Sequence, residues 1–300
     1  MRWYQHRFHN TKALQLMFDG VPRIPRFAHP FVAMLTAFFF SRLMKKERRA
    51  VARNLRQITG SRGPALHWKV YRVFYSFSNL MVSYIDLPQA SHAQILSMLA
   101  DGEYGAAIVA KYLEAGNGVI FWTAHLGNPE FASRLLELHG RPVNVARFVE
   151  DNPAEKLLRD RMASGRLKVI DLRDGASATI ELLQALRRNE IVAIQGDRVY
   201  NPRHSAEVSF FSKPVAFPLG PFLLSQVSGA AVLPGFVIRQ GWQRYRMLGG
   251  DPILPGTSSD SIADQVAALV RAVRFFEAQL SVHSDQWANF FDFWQAGLHD

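Results

Sequence analysis

The sequence predicts an α/β protein: a mixed, mainly parallel sheet flanked by helices, preceded by a helical N-terminal region that associates with a membrane. Three observations carry this. From about residue 116 onward, short apolar runs alternate with amphipathic helical stretches, the pattern of strands joined by crossover helices. The first hundred residues lack such runs and read as mostly helical. An uncharged, aromatic-rich span, Phe27 to Ser41, has cations on both flanks, which suits anionic headgroups. On this reading residues 1–60 form the helical, membrane-associating N-terminal region and residues 61–300 the α/β domain.

The N-terminal span is short. A helix rises about 1.5 Å per residue, so Phe27 to Ser41 covers about 22 Å, against the ~30 Å of a bilayer core. It reads as a membrane-dipping or interfacial helix, with a buried core helix as the plain alternative. Arg23 and Arg26 precede it; Arg42, Lys45, Lys46, Arg48 and Arg49 follow. RRAVARNLRQI then has Val51, Leu55 and Ile58 at helical spacing. HWKVYRVFYSFSNLMVSYIDL is a longer helix with Val70, Phe74, Phe77 and Met81 on one face, ended by Pro88.

The alternation begins with GVIFWTA, a buried strand entered through Gly116-Asn117-Gly118. PEFASRLLELHG is a helix closing at Gly140. PVNVARF reads as a strand, PAEKLLRDRMASG as a helix and LKVIDL as a strand. ASATIELLQALRRNE is an amphipathic helix and EIVAIQGD a buried strand. EVSFF, AAVLPGFVI and WQRYRMLG are further strands, with the helix FPLGPFLLSQVSG between two of them. DSIADQVAALVRAVRFFEAQLSVH is a long C-terminal helix.

Composition narrows the function classes. Of 300 residues, 48% are hydrophobic and 20% charged, so the chain is globular rather than disordered. The net charge of +10 attracts nucleic acid, anionic lipid or an acidic protein. No helix-turn-helix, zinc-finger or RNP signature supports nucleic acid. There is no cysteine, which excludes a thiol nucleophile, disulfides and Cys-based zinc sites. The opening MRWYQHRFHN has no apolar core of a secretory signal behind it. The histidines at 6, 9, 29, 67 and 92 are scattered, with no His-Glu-x-x-His, and predict no metal.

In open α/β sheets, ligands gather where strands end and helices begin. WTAHLGNPEFASRLL is such a junction. The strand ends near Trp122, His125 follows in the turn, and Gly127 relaxes the backbone. Asn128 suits a helix N-cap and Pro129 the first helical position. Glu130 then falls in the first turn, where the helix dipole favours a carboxylate. A carboxylate turned back onto the imidazole gives His125 the tautomer and basicity of a general base. Spacing alone favours a His that only caps the helix or satisfies the loop. Arg147, Asp197 and Arg198 also follow strand candidates. An Arg there can hold a phosphate bidentately, and Asp197 can position Arg198 or bind a sugar hydroxyl. Surface ion pairs are the alternative for all three. Phe210, Phe211 and Phe217 suit core packing or an apolar ligand channel, and Trp287, Phe290, Phe291, Phe293 and Trp294 suit the core or a membrane interface.

HLGNPE resembles the His-X4-Asp/Glu motif of the lysophospholipid acyltransferase superfamily, in the H-x-G-N-x-E form of the bacterial lipid A biosynthesis (late, lauroyl/myristoyl) acyltransferases. Four further blocks fall in that family's order: ARFVEDNPAEKLLRDRMASG, IVAIQGDRV, VSFFSKPVAFPLGPFLLSQVSGAAVLPGFVIR and DQWANFFDFW. The resemblance covers about residues 30–295. Pro129 stands where relatives often have Trp, and Ser212 where Gly is usual, which leaves the acceptor open. GDRV and QWANFFDFW look closer to relatives outside the principal lipid A enzymes.

The resemblance implies an O-acyltransferase. An acyl chain passes from acyl carrier protein or coenzyme A to a hydroxyl of a lipid A-type or related glycolipid. His125 is the base, Glu130 orients it, and no acyl-enzyme forms, in keeping with the missing cysteine and the lack of a Gly-x-Ser-x-Gly elbow. It implies no bound cofactor beyond the acyl donor, an anionic lipid acceptor, a membrane surface and acyl carrier protein as partners, no nucleic acid, and a place on the cytoplasmic face of the bacterial inner membrane. Lysophospholipid, another glycolipid or an aryl polyene lipid is the alternative acceptor. A basic membrane-binding protein without catalysis is the alternative class.

Overall fold

A computed structural model describes residues 11–100, 105–149, 166–256 and 261–295. In chain order the helices and strands are α1 (Thr11–Gly20), α2 (His29–Leu43), α3 (Lys45–Thr59), α4 (Gly63–Asp86), α5 (His92–Ser97), α6 (Ala106–Glu114), β1 (Val119–Thr123), α7 (Pro129–Glu137), β2 (Val143–Arg147), β3 (Leu167–Asp171), α8 (Ala176–Arg187), β4 (Ile191–Gln195), β5 (Ser205–Phe210), β6 (Lys213–Pro218), α9 (Gly220–Ser228), β7 (Ala231–Gly241), β8 (Arg244–Gly249) and α10 (Ser261–His283). They divide into two compact units.

The larger unit spans residues 91–149 and 164–282. Its six-stranded sheet has the order β3-β2-β4-β1-β7-β8. All neighbours pair in parallel except β7 and β8, so the mixed, mainly parallel α/β fold is as the sequence predicts. Val119, Ile120, Phe121 and Trp122 are all buried, as expected of a parallel strand covered on both faces. A separate two-stranded hairpin, β5–β6, follows β4. β6 is absent from the sequence reading because KPVAFP carries prolines at 214 and 218, which argue against a central strand. In a hairpin with a free edge they cost few ladder bonds. Phe210 and Phe217 are wholly buried, and Phe210 stacks on Phe276 of α10 at 5.2 Å, so both serve the core. The predicted helix PAEKLLRDRMASG lies outside the described residues.

The smaller unit holds residues 1–90, 150–163 and 283–300. Within it α2 packs its small face on α4: His29, Ala33 and Ala37, four residues apart, are buried, a spacing that puts them on one stripe. The bulky residues face outward instead, with Phe31 60%, Leu35 55% and Phe39 59% exposed. Arg42 lies 3.7 Å over the Phe38 ring. α2 is 15 residues long, and no single described helix is long and apolar enough to cross a membrane; α2 and α3 meet at a bend of 98°. α3 buries Ala50, Val51, Leu55 and Ile58 and ends on Gly60 in the left-handed conformation. Trp287, Phe290 and Phe293 are buried, and Phe290 meets Phe74 and Phe77 edge-on. That aromatic cluster is core.

Candidate active site

The site is built where β2, β4 and β1 end. Thr123 and Gln195 are register partners on β1 and β4. The ladder continues one step further, with the Gly196 N–H donating to the Thr123 carbonyl at 2.8 Å. Two residues beyond the paired positions stand His125 and Asp197. The His125 Nδ1 and Asp197 Oδ1 are 2.7 Å apart, and the His125 backbone N–H donates to Asp197 Oδ2 at 3.2 Å. A carboxylate oxygen accepts, so this bond keeps the ring proton on Nδ1 and presents Nε2 as the lone-pair nitrogen. The Asp197 side chain is 2% exposed and that of His125 20%.

The sequence points to Glu130 as the imidazole's partner and to Asp197 as a substrate contact. The structure gives the bond to Asp197, 72 residues from His125. Local spacing cannot show this, because parallel strand register brings the two loops together. Glu130 stands half-buried as the second residue of α7.

Asn128 fixes the turn between strand and helix, as its residue type predicts. Its Oδ1 accepts from the Phe131 N–H at 3.0 Å, its own N–H donates to the Val237 carbonyl of β7 at 2.7 Å, and its Nδ2 donates to the Tyr245 hydroxyl at 3.3 Å. Gly127 has φ +76°, and a Cβ there would lie 1.9 Å from the Val237 oxygen. Only glycine fits that approach.

Arg147 closes β2, and Arg198 follows Asp197. The structure brings both cations to His125. Burial pushes the imidazole below its ordinary value, and the charge of Arg198, then that of Arg147, pushes in the same direction; Asp197 opposes them. The net shift favours the neutral ring. Tyr200 joins this group. Burial raises its phenol, Arg198 hydrogen-bonds it, and its ring stacks on Phe148 with centroids 3.9 Å apart. Neither Tyr200 nor Phe148 is singled out by the sequence, although each adjoins a predicted strand end.

Gly196 is the other residue that sequence reasoning passes over. A Cβ on it would come within 2.0 Å of Trp122 Nε1. The indole of β1 therefore lies against the backbone that delivers Asp197, and Trp122 is itself wholly buried. Among the described residues no group of three or more His, Asp or Glu is placed to hold a metal ion.

Residues 16–296 match the family model described as bacterial lipid A biosynthesis acyltransferase. The chain is also similar to the phosphatidylinositol mannoside acyltransferases of Mycobacterium tuberculosis strains CDC 1551 / Oshkosh and ATCC 25618 / H37Rv. Each is 29% identical over 221 residues, covering 71% of this chain and 66% of the relative. The matched stretch thus spans just under two thirds of those relatives' length.

Proposed function

Since the chain belongs to the bacterial lipid A biosynthesis acyltransferase family, we propose that it moves a fatty acyl chain from an acyl thioester to a hydroxyl of a lipid A-type or related glycolipid acceptor. The observation that carries this reading is the 2.7 Å bond from His125 to Asp197, at the carboxyl ends of β1 and β4. His125 Nε2 takes the proton of the acceptor hydroxyl. The oxygen attacks the thioester carbonyl carbon, and the tetrahedral intermediate collapses with cleavage of the C–S bond. The imidazolium returns the proton to the departing thiolate. Asp197 holds the ring in the productive tautomer and stabilises the imidazolium while it exists.

A base of this kind must be neutral at working pH. Burial and the two arginines favour that state. The same arginines suit an acidic substrate group: a phosphate of the acceptor, or of the pantetheine arm shared by acyl carrier protein and coenzyme A. Glu130, five residues from His125 in the first turn of α7 and favoured there by the helix dipole, is the second carboxylate we propose to act with the imidazole. The relatives' name, which refers to a mannosylated phosphatidylinositol, supports a phosphate-bearing glycolipid as acceptor class. No bound cofactor enters this chemistry.

We place the reaction at an anionic membrane surface, on the cytoplasmic face of the inner membrane, with acyl carrier protein as the donor partner. The outward Phe and Leu side chains of α2, the basic residues of α3 and the net charge of +10 support this. The decisive experiment supplies purified protein with acyl-carrier-protein or coenzyme A thioesters and a panel of lipid acceptors, and follows acceptor mass. Transfer by the wild type and not by His125→Ala is expected. Equal product from both proteins would exclude the mechanism.

A further inference from the structure

We propose that Tyr245 is a positioning residue for His125, acting through the Asn128 side-chain amide; this rests on the acyl-transfer reading above. His125 is held at two places. Asp197 holds its ring from β4. The turn from His125 to Asn128 holds its backbone against β7, through the Asn128 N–H on Val237 and the close approach of Gly127. The Asn128 side-chain amide braces the same turn from its other side, tying it to the first turn of α7 and to β8.

The amide has one acceptor and two donors. Its oxygen caps the Phe131 N–H, so Nδ2 must find an acceptor in an interior where Asn128 is only 3% exposed. The Tyr245 hydroxyl, 3.3 Å away, accepts from it. If the amide flipped, a donor would meet the Phe131 N–H, and the cap would be lost.

Tyr245 is itself held firmly. Its N–H donates to the Met98 carbonyl at 2.8 Å, and its carbonyl accepts from the Ala100 N–H at 2.7 Å. Its ring stacks on Phe131 at 4.3 Å, and it is 4% exposed. The donor-only Phe131 N–H selects the orientation of the Asn128 amide, and a rigid phenol on β8 holds the amide there, three residues from the base. Small displacements of a general base lower the chemical step without touching substrate affinity.

The test is Tyr245→Phe, which keeps the ring stack and removes only the hydroxyl. Expected are a fall in kcat of about tenfold, a KM for the acyl thioester within about twofold of wild type, and a nearly unchanged melting temperature. In an Asn128→Ser background, where the cap no longer needs an acceptor for an amide, Tyr245→Phe should have no further effect, the non-additivity expected of coupled residues. A wild-type kcat in Tyr245→Phe overturns the proposal. So does an equal loss in the Asn128→Ser background, or a loss of kcat that only follows a loss of folded protein. A separate readout is the ¹⁵N spectrum of the His125 ring, which should show the Nδ1–H tautomer in wild type and a shifted or broadened signal in Tyr245→Phe. If wild type transfers no acyl chain to any acceptor, the acyl-transfer reading fails, and this spectrum alone decides on Tyr245: an unchanged ring signal overturns it.

Discussion

Asp197 Oδ1 lies 2.7 Å from His125 Nδ1 although 72 residues separate them, because each stands two residues past a register pair of adjacent parallel strands. The dyad is a product of the sheet. Asp197→Asn therefore keeps the shape and loses the charge that holds the tautomer. The kcat should fall by about 10²–10⁴-fold, the range for disabling a general base. Glu130→Gln should cost about tenfold or less, since Glu130 does not make that bond. Steady-state kinetics with a single acyl thioester separates the two, and a larger loss in Glu130→Gln would make Glu130 the orienting carboxylate.

The cations beside His125 predict a pH signature. Burial and Arg198 favour the neutral ring, so the acid limb of kcat/KM should lie below the ordinary imidazole value of about 6.5. Replacing Arg198 by Gln removes a charge that opposes protonation. The imidazole then protonates at higher pH, and the acid limb should move upward. Asp197→Asn should move it downward, because Asp197 favours the charged ring. A limb that stays fixed in both variants would show that another group sets it.

Gly196 should not tolerate a methyl group. The nearest atoms to a Cβ there belong to the rigid, buried Trp122 indole, at 2.0 and 2.5 Å. Gly196→Ala should destabilise the protein by about 1–3 kcal/mol, the usual cost of overpacking, and displace Asp197 with a loss of kcat. Gly220→Ala is the matched control. It lies in α9 with nothing within 4 Å of the new atom, and denaturation should show no loss of stability.

The β5–β6 turn carries Phe211 and Ser212 at φ 49° and 62°. Two-residue hairpins of this hand favour Asn-Gly, and a non-glycine residue there is strained. Part of the turn is held by the Phe211 N–H donating to Glu277 of α10 at 2.8 Å. Ser212→Gly should stabilise the protein by about 0.5–1 kcal/mol, the left-handed penalty less the extra entropy of unfolded glycine. Urea unfolding midpoints at constant m-value would measure it.

The outward face of α2 makes a prediction independent of catalysis. Replacing Phe31 and Phe39 by Glu should lower binding to vesicles containing anionic phospholipid, with little change in melting temperature because both are exposed. Raising the salt concentration should weaken the remaining binding by screening the α3 cations. Undiminished vesicle binding by the double variant would assign this face to another partner.

Much of the fold was legible in the residues. Periodicity places β1, β2, β3, β4, β7 and the long α10, since burial on one stripe or on both faces leaves its mark on a single segment. Asn128 and Pro129 announce the start of α7 for the same reason: capping is local chemistry. The hairpin strand β6 escaped, because its prolines speak against a strand and only the pairing with β5 explains them.

The residues alone place His125 in the turn between a buried strand and a capped helix, with Arg147, Asp197 and Arg198 at other strand ends. The sequence offered Glu130 as its partner because that carboxylate lies on the same turn. The hydrogen bond to Asp197, and the places of Tyr200 and Tyr245, emerge only once the sheet is assembled. A side chain's partner across a sheet depends on strand order and register, which are set by packing of the whole core and leave no trace at the short spacings a sequence motif records.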